Sequence, residues 1–289
     1  MARRQACARI LMYHGVPAEG ALALAEQLRY LARNFKVVSL QAMVERLAND
    51  HAAAANELTL TFDDGLHNNF SVVYPILREL QVPATYFVCP GLIGSGQWLW
   101  SHEVRCRLQT LSAGALADLR ARLLAPDASV EGMVEWMKKL KRPQRQRVEE
   151  VIRTATANYS PTPAQRDAYD LMDWDGLLTL DSRLITLGSH TLTHPVLTTL
   201  TGEEIDFELR ESRRCLEQKL QRTVDFFCYP NGSYDGRVYQ AVKNNYRAAV
   251  TTETGVLNGK DELDFHRLPR IPSAENPALM AWRLHRPEA

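Results

Sequence analysis

The stretch Glu57-Leu58-Thr59-Leu60-Thr61-Phe62-Asp63-Asp64-Gly65 decides how the rest of the chain is read. A run of Leu, Thr and Phe passes directly into two carboxylates and a glycine, so a strand delivers adjacent acids to its own C-terminal edge. In parallel α/β sheets and barrels that edge is where ligands sit. Neighbouring aspartates do not easily share one task, but one can bind a cation while the other stays free as a base. Alone, Asp-Asp-Gly is also an ordinary turn sequence.

Runs of the same kind recur on both sides of this stretch, at Ala8–Tyr13, Lys36–Val38, Ala84–Cys89, Leu184–Leu187, Val224–Cys228, Tyr246–Thr251 and Arg267–Ile271. Several are continuously apolar, as parallel strands covered on both faces are. Helical patterns fill the intervals at about 21–34, 41–49, 68–80, 202–220 and 235–245. The helix over 202–220 has a readable start, since Thr201 and Glu204 form a capping-box pattern, and Ile205, Leu209, Leu216 and Leu220 make its apolar stripe. Strand–helix alternation of this kind predicts an α/β fold with a parallel sheet, open or closed into a barrel. Residues from about 98 to 170 break the rhythm: they are strand-poor, helix-rich and interrupted by Pro126, Pro143, Pro161 and Pro163. With no internal repeat in view, they read as a helical insertion into a single domain over 1–289. Inside it lies the basic run Lys138-Lys139-Leu140-Lys141-Arg142, either a solvated face or a surface for an anionic lipid or glycan carrier.

The 289 residues carry 34 basic and 34 acidic side chains, a balance that argues against a nucleic-acid partner. No run of about 18 apolar residues spans a bilayer. The five cysteines, 7, 89, 106, 215 and 228, are scattered and never form a C-x-x-C pair, which fits reduced thiols. The N-terminus has the charges of a signal peptide but no apolar run behind them, which points to the cytoplasm. A processed N-terminus would instead allow the periplasm or the cell surface.

Ser189-His190-Thr191-Leu192-Thr193-His194-Pro195 follows another apolar run, and histidines four apart on one helical turn can share a metal. Two imidazoles and one carboxylate make a three-ligand set for a catalytic Zn²⁺ with positions left for water. A third segment, Cys228-Tyr229-Pro230-Asn231-Gly232, forces a tight turn whose backbone N–H groups can point at a developing oxyanion.

Thr-Phe-Asp-Asp-Gly, Ser-His-Thr-x-x-His-Pro and Tyr-Pro-x-Gly, in that order, resemble the NodB-type polysaccharide deacetylases of carbohydrate esterase family 4. The resemblance covers about residues 8–98 and 170–272. It implies a distorted (β/α)7 barrel and metal-dependent removal of acetyl groups from sugars, a hydrolysis of a carbon–nitrogen bond. Carried over, Asp63 is the general base, while Asp64, His190 and His194 bind Zn²⁺ or another divalent ion such as Co²⁺ or Ni²⁺. Asn231 falls where the family supplies the oxyanion-hole N–H. The implied partner is an N-acetylated glycan, with peripheral contact to a membrane-bound glycan carrier. The chain departs from the family at Cys228, where an Arg usually tethers the base; Arg270 in Leu268-Pro269-Arg270-Ile271-Pro272 is the candidate replacement. The late Leu-x-His motif of the general acid is missing too. Leu11-Met12-Tyr13-His14-Gly15-Val16 resembles the start of the circularly permuted poly-N-acetylglucosamine deacetylase branch, which makes His14 the expected acid and His266 the competitor. Two other functions fit the same residues: a glycan-binding module without activity, and a metal amidohydrolase acting on a non-sugar amide. Trp98, Trp100 and Trp174 are expected in the core, with sugar stacking as the alternative.

Overall fold

The computed structural model describes residues 7–50, 56–126, 129–258 and 263–285. The chain opens with strand β1 (Ala8–Tyr13), α1 (Ala21–Asn34), β2 (Lys36–Val37), α2 (Leu40–Asp50), β3 (Glu57–Phe62), α3 (Tyr74–Leu80) and β4 (Ala84–Val88). A helical stretch follows: α4 (Trp100–Leu108), α5 (Ala113–Leu123), α6 (Val130–Met137), α7 (Arg142–Ala155), α8 (Pro163–Tyr169) and α9 (Trp174–Leu178). Alternation then resumes with β5 (Ile185–Ser189), α10 (Gly202–Leu220), β6 (Phe226–Cys228), α11 (Gly236–Asn245), β7 (Ala248–Val250), β8 (Ile271–Pro272) and α12 (Pro277–His285). No helix among the described residues is long and apolar enough to cross a membrane.

Every ladder between these strands is parallel, in the order β7-β6-β5-β4-β3-β1-β8. β2 pairs only with the start of β3, while β4 pairs with its end, so β2 lies outside the ring. The segment expected as one strand over Arg267–Ile271 is split between two neighbours. Its first part bonds to β7, with the Thr251 N–H donating to the Leu268 carbonyl at 2.9 Å, and β8 then pairs Ile271 with Leu11 of β1. That crossover joins the two edges, and the seven strands form the distorted (β/α)7 barrel anticipated above. The helix expected over 68–80 opens with a π-helical turn over Asn69–Val73 before α3.

Period-two alternation sorts the strand residues into two clusters. Leu11, Tyr13, Leu58, Leu60, Phe62, Ile185, Leu187 and Ile271 face outward beneath residues such as Leu28 of α1, Leu77 of α3 and Leu209 of α10. Ile10, Phe87, Phe226, Cys228 and Val250 belong to the other cluster, packed with Leu40, Met43 and Leu47 of α2. Burying each such side chain contributes about 1.5–3 kcal/mol. The alternation also aims the chemistry: residues 14, 63, 190 and 270 all carry the inward parity. Position 188 of β5 shares it and is a glycine because a Cβ there would lie 2.5 Å from the Phe87 ring.

The helical stretch has its own core, with Trp100, Val104, Leu108, Met133, Met137 and Ile152 clustered around Val196 of the barrel. Trp98 and Trp100 are buried, and the Trp98 indole donates to Asp170 Oδ1 at 2.6 Å, so both serve packing. Trp174 is half-buried beneath Lys219.

Candidate active site

Asp63 leaves β3 pointing into the barrel, where Arg270 meets it with both terminal nitrogens, Nη1 to Oδ1 and Nη2 to Oδ2, each at 2.8 Å. Arg270 is fully buried. Its remaining donors are used as well: Nε binds the Thr251 carbonyl at 2.8 Å, Nη1 the Thr61 hydroxyl at 3.0 Å and Nη2 the Cys228 sulfur at 3.2 Å. A guanidinium with every edge satisfied is how a buried charge is tolerated. Burial pushes the Asp63 carboxyl up, but the Arg270 charge and hydrogen bonds overcome it and hold Asp63 below the ordinary aspartate range. Burial keeps the Cys228 thiol protonated. Arg270 thus occupies, from the last strand, the space beside the carboxylate that Cys228 cannot fill.

Asp64 turns the other way because it adopts a left-handed φ of +74°, followed by Gly65 at +72°. Its Oδ1 lies 3.5 Å from His190 Nε2 and 3.4 Å from His194 Nε2. Donors about 2.0–2.1 Å from a tetrahedral ion stand about 3.3 Å apart, so the three atoms fit a divalent cation. His190 Nδ1 lies 2.7 Å from the Cys228 carbonyl, which fixes the proton there and leaves the Nε2 lone pair for a metal. Burial, then the neighbouring His190, push His194 down to about 3, so its imidazole is uncharged and offers a lone pair. Asp63, His190 and Cys228 also gather within 4.8 Å, but the guanidinium beside them opposes a second cation.

The two histidines converge for a reason other than helical spacing. Residues 190–194 form a loop in which Thr191 and His194 take left-handed φ values of +68° and +55°. Glu208 of α10 holds it: its carboxylate accepts from the Leu192 N–H at 3.0 Å, the Thr193 N–H at 2.9 Å and the Thr193 hydroxyl at 2.7 Å. Arg142, at the start of α7, completes the cluster by donating to Glu208 and to the Thr193 hydroxyl. Sequence reading missed Glu208, though it left a signal: a carboxylate at an i+3 position on the buried stripe of Ile205, Leu209 and Leu216.

These groups line a cavity of about 150 Å³ shared by His14, Asp63, Asp64, His190, His194 and Asn231. His14 reaches it from the end of β1. His266 does not; its Nε2 lies 2.9 Å from the Tyr246 carbonyl, away from the cavity. Asn231 sits in the Pro230–Gly232 turn at a φ of +56°, and a Cβ on Gly232 would meet Thr252 Oγ1 at 1.8 Å. The helical stretch also lines the cavity, through Ser101, His102 and Arg105 of α4, none of them anticipated, and through Lys138 after α6, from the basic run noted in the sequence. Burial pushes His102 below the ordinary histidine value, and its Nδ1 has no partner.

Residues 50–249, more than half of the chain, match the family model for polysaccharide deacetylase. YxkH of Bacillus subtilis (strain 168) is 20% identical over 281 residues, covering 94% of this chain and 75% of its own. The fold is shared with IcaB from Ammonifex degensii, at a TM-score of 0.63 and 16% identity over 97% of this chain and 98% of that one. It is shared equally with the Streptococcus pyogenes deacetylase PplD, solved in complex with acetate, at 0.62 and 19% over 94% and 95%.

Proposed function

The chain belongs to the polysaccharide deacetylase family, and on that premise we propose that it hydrolyses N-acetyl groups of sugars in a cell-surface polysaccharide or its lipid-linked precursor. The carrying observation is the pairing of a three-donor cation site, Asp64, His190 and His194, with a separate carboxylate, Asp63, on one small cavity. Zn²⁺, or a relative such as Co²⁺ or Ni²⁺, would supply Lewis-acid polarisation of the acetamide carbonyl and of a water. Asp63, kept ionised by Arg270, takes the proton of the attacking water. Asn231 donates its backbone N–H to the oxygen that gains charge, a contact of a kind contributing about 2.7–4 kcal/mol. His14 then protonates the sugar amine, which otherwise leaves poorly. Acetate, the carboxylate this reaction would release, is the molecule bound in the PplD structure.

Mass spectrometry of N-acetylated oligosaccharides incubated with metal-loaded protein tests the reading. Loss of acetyl groups that a chelator stops and added metal restores is the expected result. Hydrolysis of a cyclic imide with no acetyl loss from any sugar would overturn it in favour of a non-sugar amidohydrolase.

A further inference from the structure

Beside the catalytic cavity lies a groove of about 890 Å³, walled by the turn between α6 and α7 on one side and by the loops after β5 and β6 on the other. Lys138 and Asn231 line both spaces, so the groove runs into the cavity. The basic run noted in the sequence divides here. Arg142 turns to Glu208, whereas Lys138, Lys139 and Lys141 line the groove.

Two acids, Glu135 and Glu204, line this groove. Glu135 pairs with Lys138 at 2.6 Å, and the Glu204 carboxylate accepts from the Thr201 N–H at 2.9 Å in the capping box. Arg237 is balanced by Asp235 at 2.9 Å. Lys139 and Lys141 are exposed and have no acidic partner among the described residues, and the cations Lys138, Lys139, Lys141 and Arg237 outnumber the acids Glu135, Glu204 and Asp235, so the groove is net positive. Concave walls focus such a charge and raise the local concentration of anions. A third space of about 580 Å³ meets the cavity at His14 and is lined by Glu19 and Glu275, with no Lys or Arg among the described residues. The charged residues lining the two spaces beside the cavity therefore differ in net sign.

We propose that the basic groove is a subsite for an anionic stretch of the glycan, bearing carboxylate or phosphate groups, whose N-acetyl sugar occupies the cavity. The inference rests on the deacetylase reading and narrows its substrate class. Thr198, Thr199 and Ser233 offer hydroxyls to sugar hydroxyls, above the buried Val196 and Leu200. A bilayer is flat on this scale and would leave that concave lining unused.

The test compares N-acetylated oligosaccharides of equal length in three forms: neutral, alternating with uronate, and linked by phosphodiesters. One anionic form should be preferred by about tenfold in kcat/KM, through KM, and the preference should shrink as salt rises. Which form is preferred identifies the anion. The double reversal Lys139→Glu/Lys141→Glu should erase that ratio, while Lys243→Glu, outside the groove, should leave it. Titrating the same oligosaccharides into metal-loaded Asp63→Asn protein reads binding without turnover. A reversal-sensitive affinity there upholds the groove even if no acetyl sugar is cleaved. Equal ratios in wild type and double reversal would overturn it. So would binding to phosphatidylglycerol vesicles without binding to either anionic oligosaccharide.

Discussion

His14 follows β1, Asp63 and Asp64 follow β3 and His190 follows β5, whereas Ser101, His102, Arg105 and Lys138 reach the same cavity from helices and a turn of the insertion. The barrel fixes its side chains twice, through the parallel ladder and through inward parity. The insertion fixes its own through a separate core and the way that core docks. His14, Asp63 and His190 have the first kind of support, while Asp64 and His194 are aimed by left-handed turns directly beyond it. Groups on the second kind shape and charge the approach. Chemistry and access are thus divided between two regions.

The largest effect should come from the cation ligands. His194→Ala or Asp64→Ala should lose stoichiometric metal and all measurable deacetylation together, because three protein donors leave no redundancy. His102→Ala should keep the metal. Elemental analysis after dialysis decides it, and metal loss from the His102 variant would break the division between the two regions.

Next come the proton-transfer groups. Asp63→Asn should retain the metal and lose about 10²–10⁴ in kcat. His14→Ala should lose a similar factor on an N-acetyl sugar but much less on an activated acetyl ester, whose leaving group needs little protonation. If His266→Ala showed that pattern instead, the acid would lie outside the cavity and the role given to β1 would fall.

Such contrasts follow from what local sequence carries. β3, α1 and α10 are found where their patterns place them, since a ladder edge or an apolar stripe is written in consecutive residues. The proposed ligands Asp64, His190 and His194 were legible for the same reason: each motif ends a strand. Arg270 was legible only through an absence, the Cys228 that stands where a guanidinium is needed. His102 carried no signal, and Lys138 only that of a basic run, because which helix face meets the barrel depends on how the insertion's core docks. The π-helical turn before α3 was likewise invisible to a 3.6-residue pattern.

Arg270→Met should cost about 3–5 kcal/mol, because it leaves Asp63 buried without its counterion. Adding Asp63→Asn should recover part of that loss, and a double-mutant cycle in denaturant measures the recovery. The sign with pH follows from the depressed carboxyl. Its contribution is complete above the ordinary value of 3.8 and disappears as pH falls through the lower folded value. A cycle showing additive losses would mean that the bidentate contact contributes packing alone.

The smallest expected effect lies where the two regions are joined. Arg142 belongs to the insertion, yet its guanidinium reaches Glu208, whose carboxylate ties down the loop that presents His194. Removing it leaves a buried anion with two N–H groups and one hydroxyl but no countercharge, so the loop should loosen while the three ligands remain. Groups that orient a ligand in this way typically contribute 10–100-fold to metal affinity. Arg142→Met should therefore weaken divalent-ion binding by about that factor, and Arg142→Lys, which restores charge without the fork, by less. Lys141→Met, one residue away but facing the groove, should bind metal like the parent. Competition with a chromogenic chelator reads all three. If Arg142→Met held its metal as tightly as the parent while losing only thermal stability, the insertion would be confined to shaping the approach. If it followed the predicted order, the boundary between chemistry and access would run through a single salt bridge rather than along the junction of the two regions.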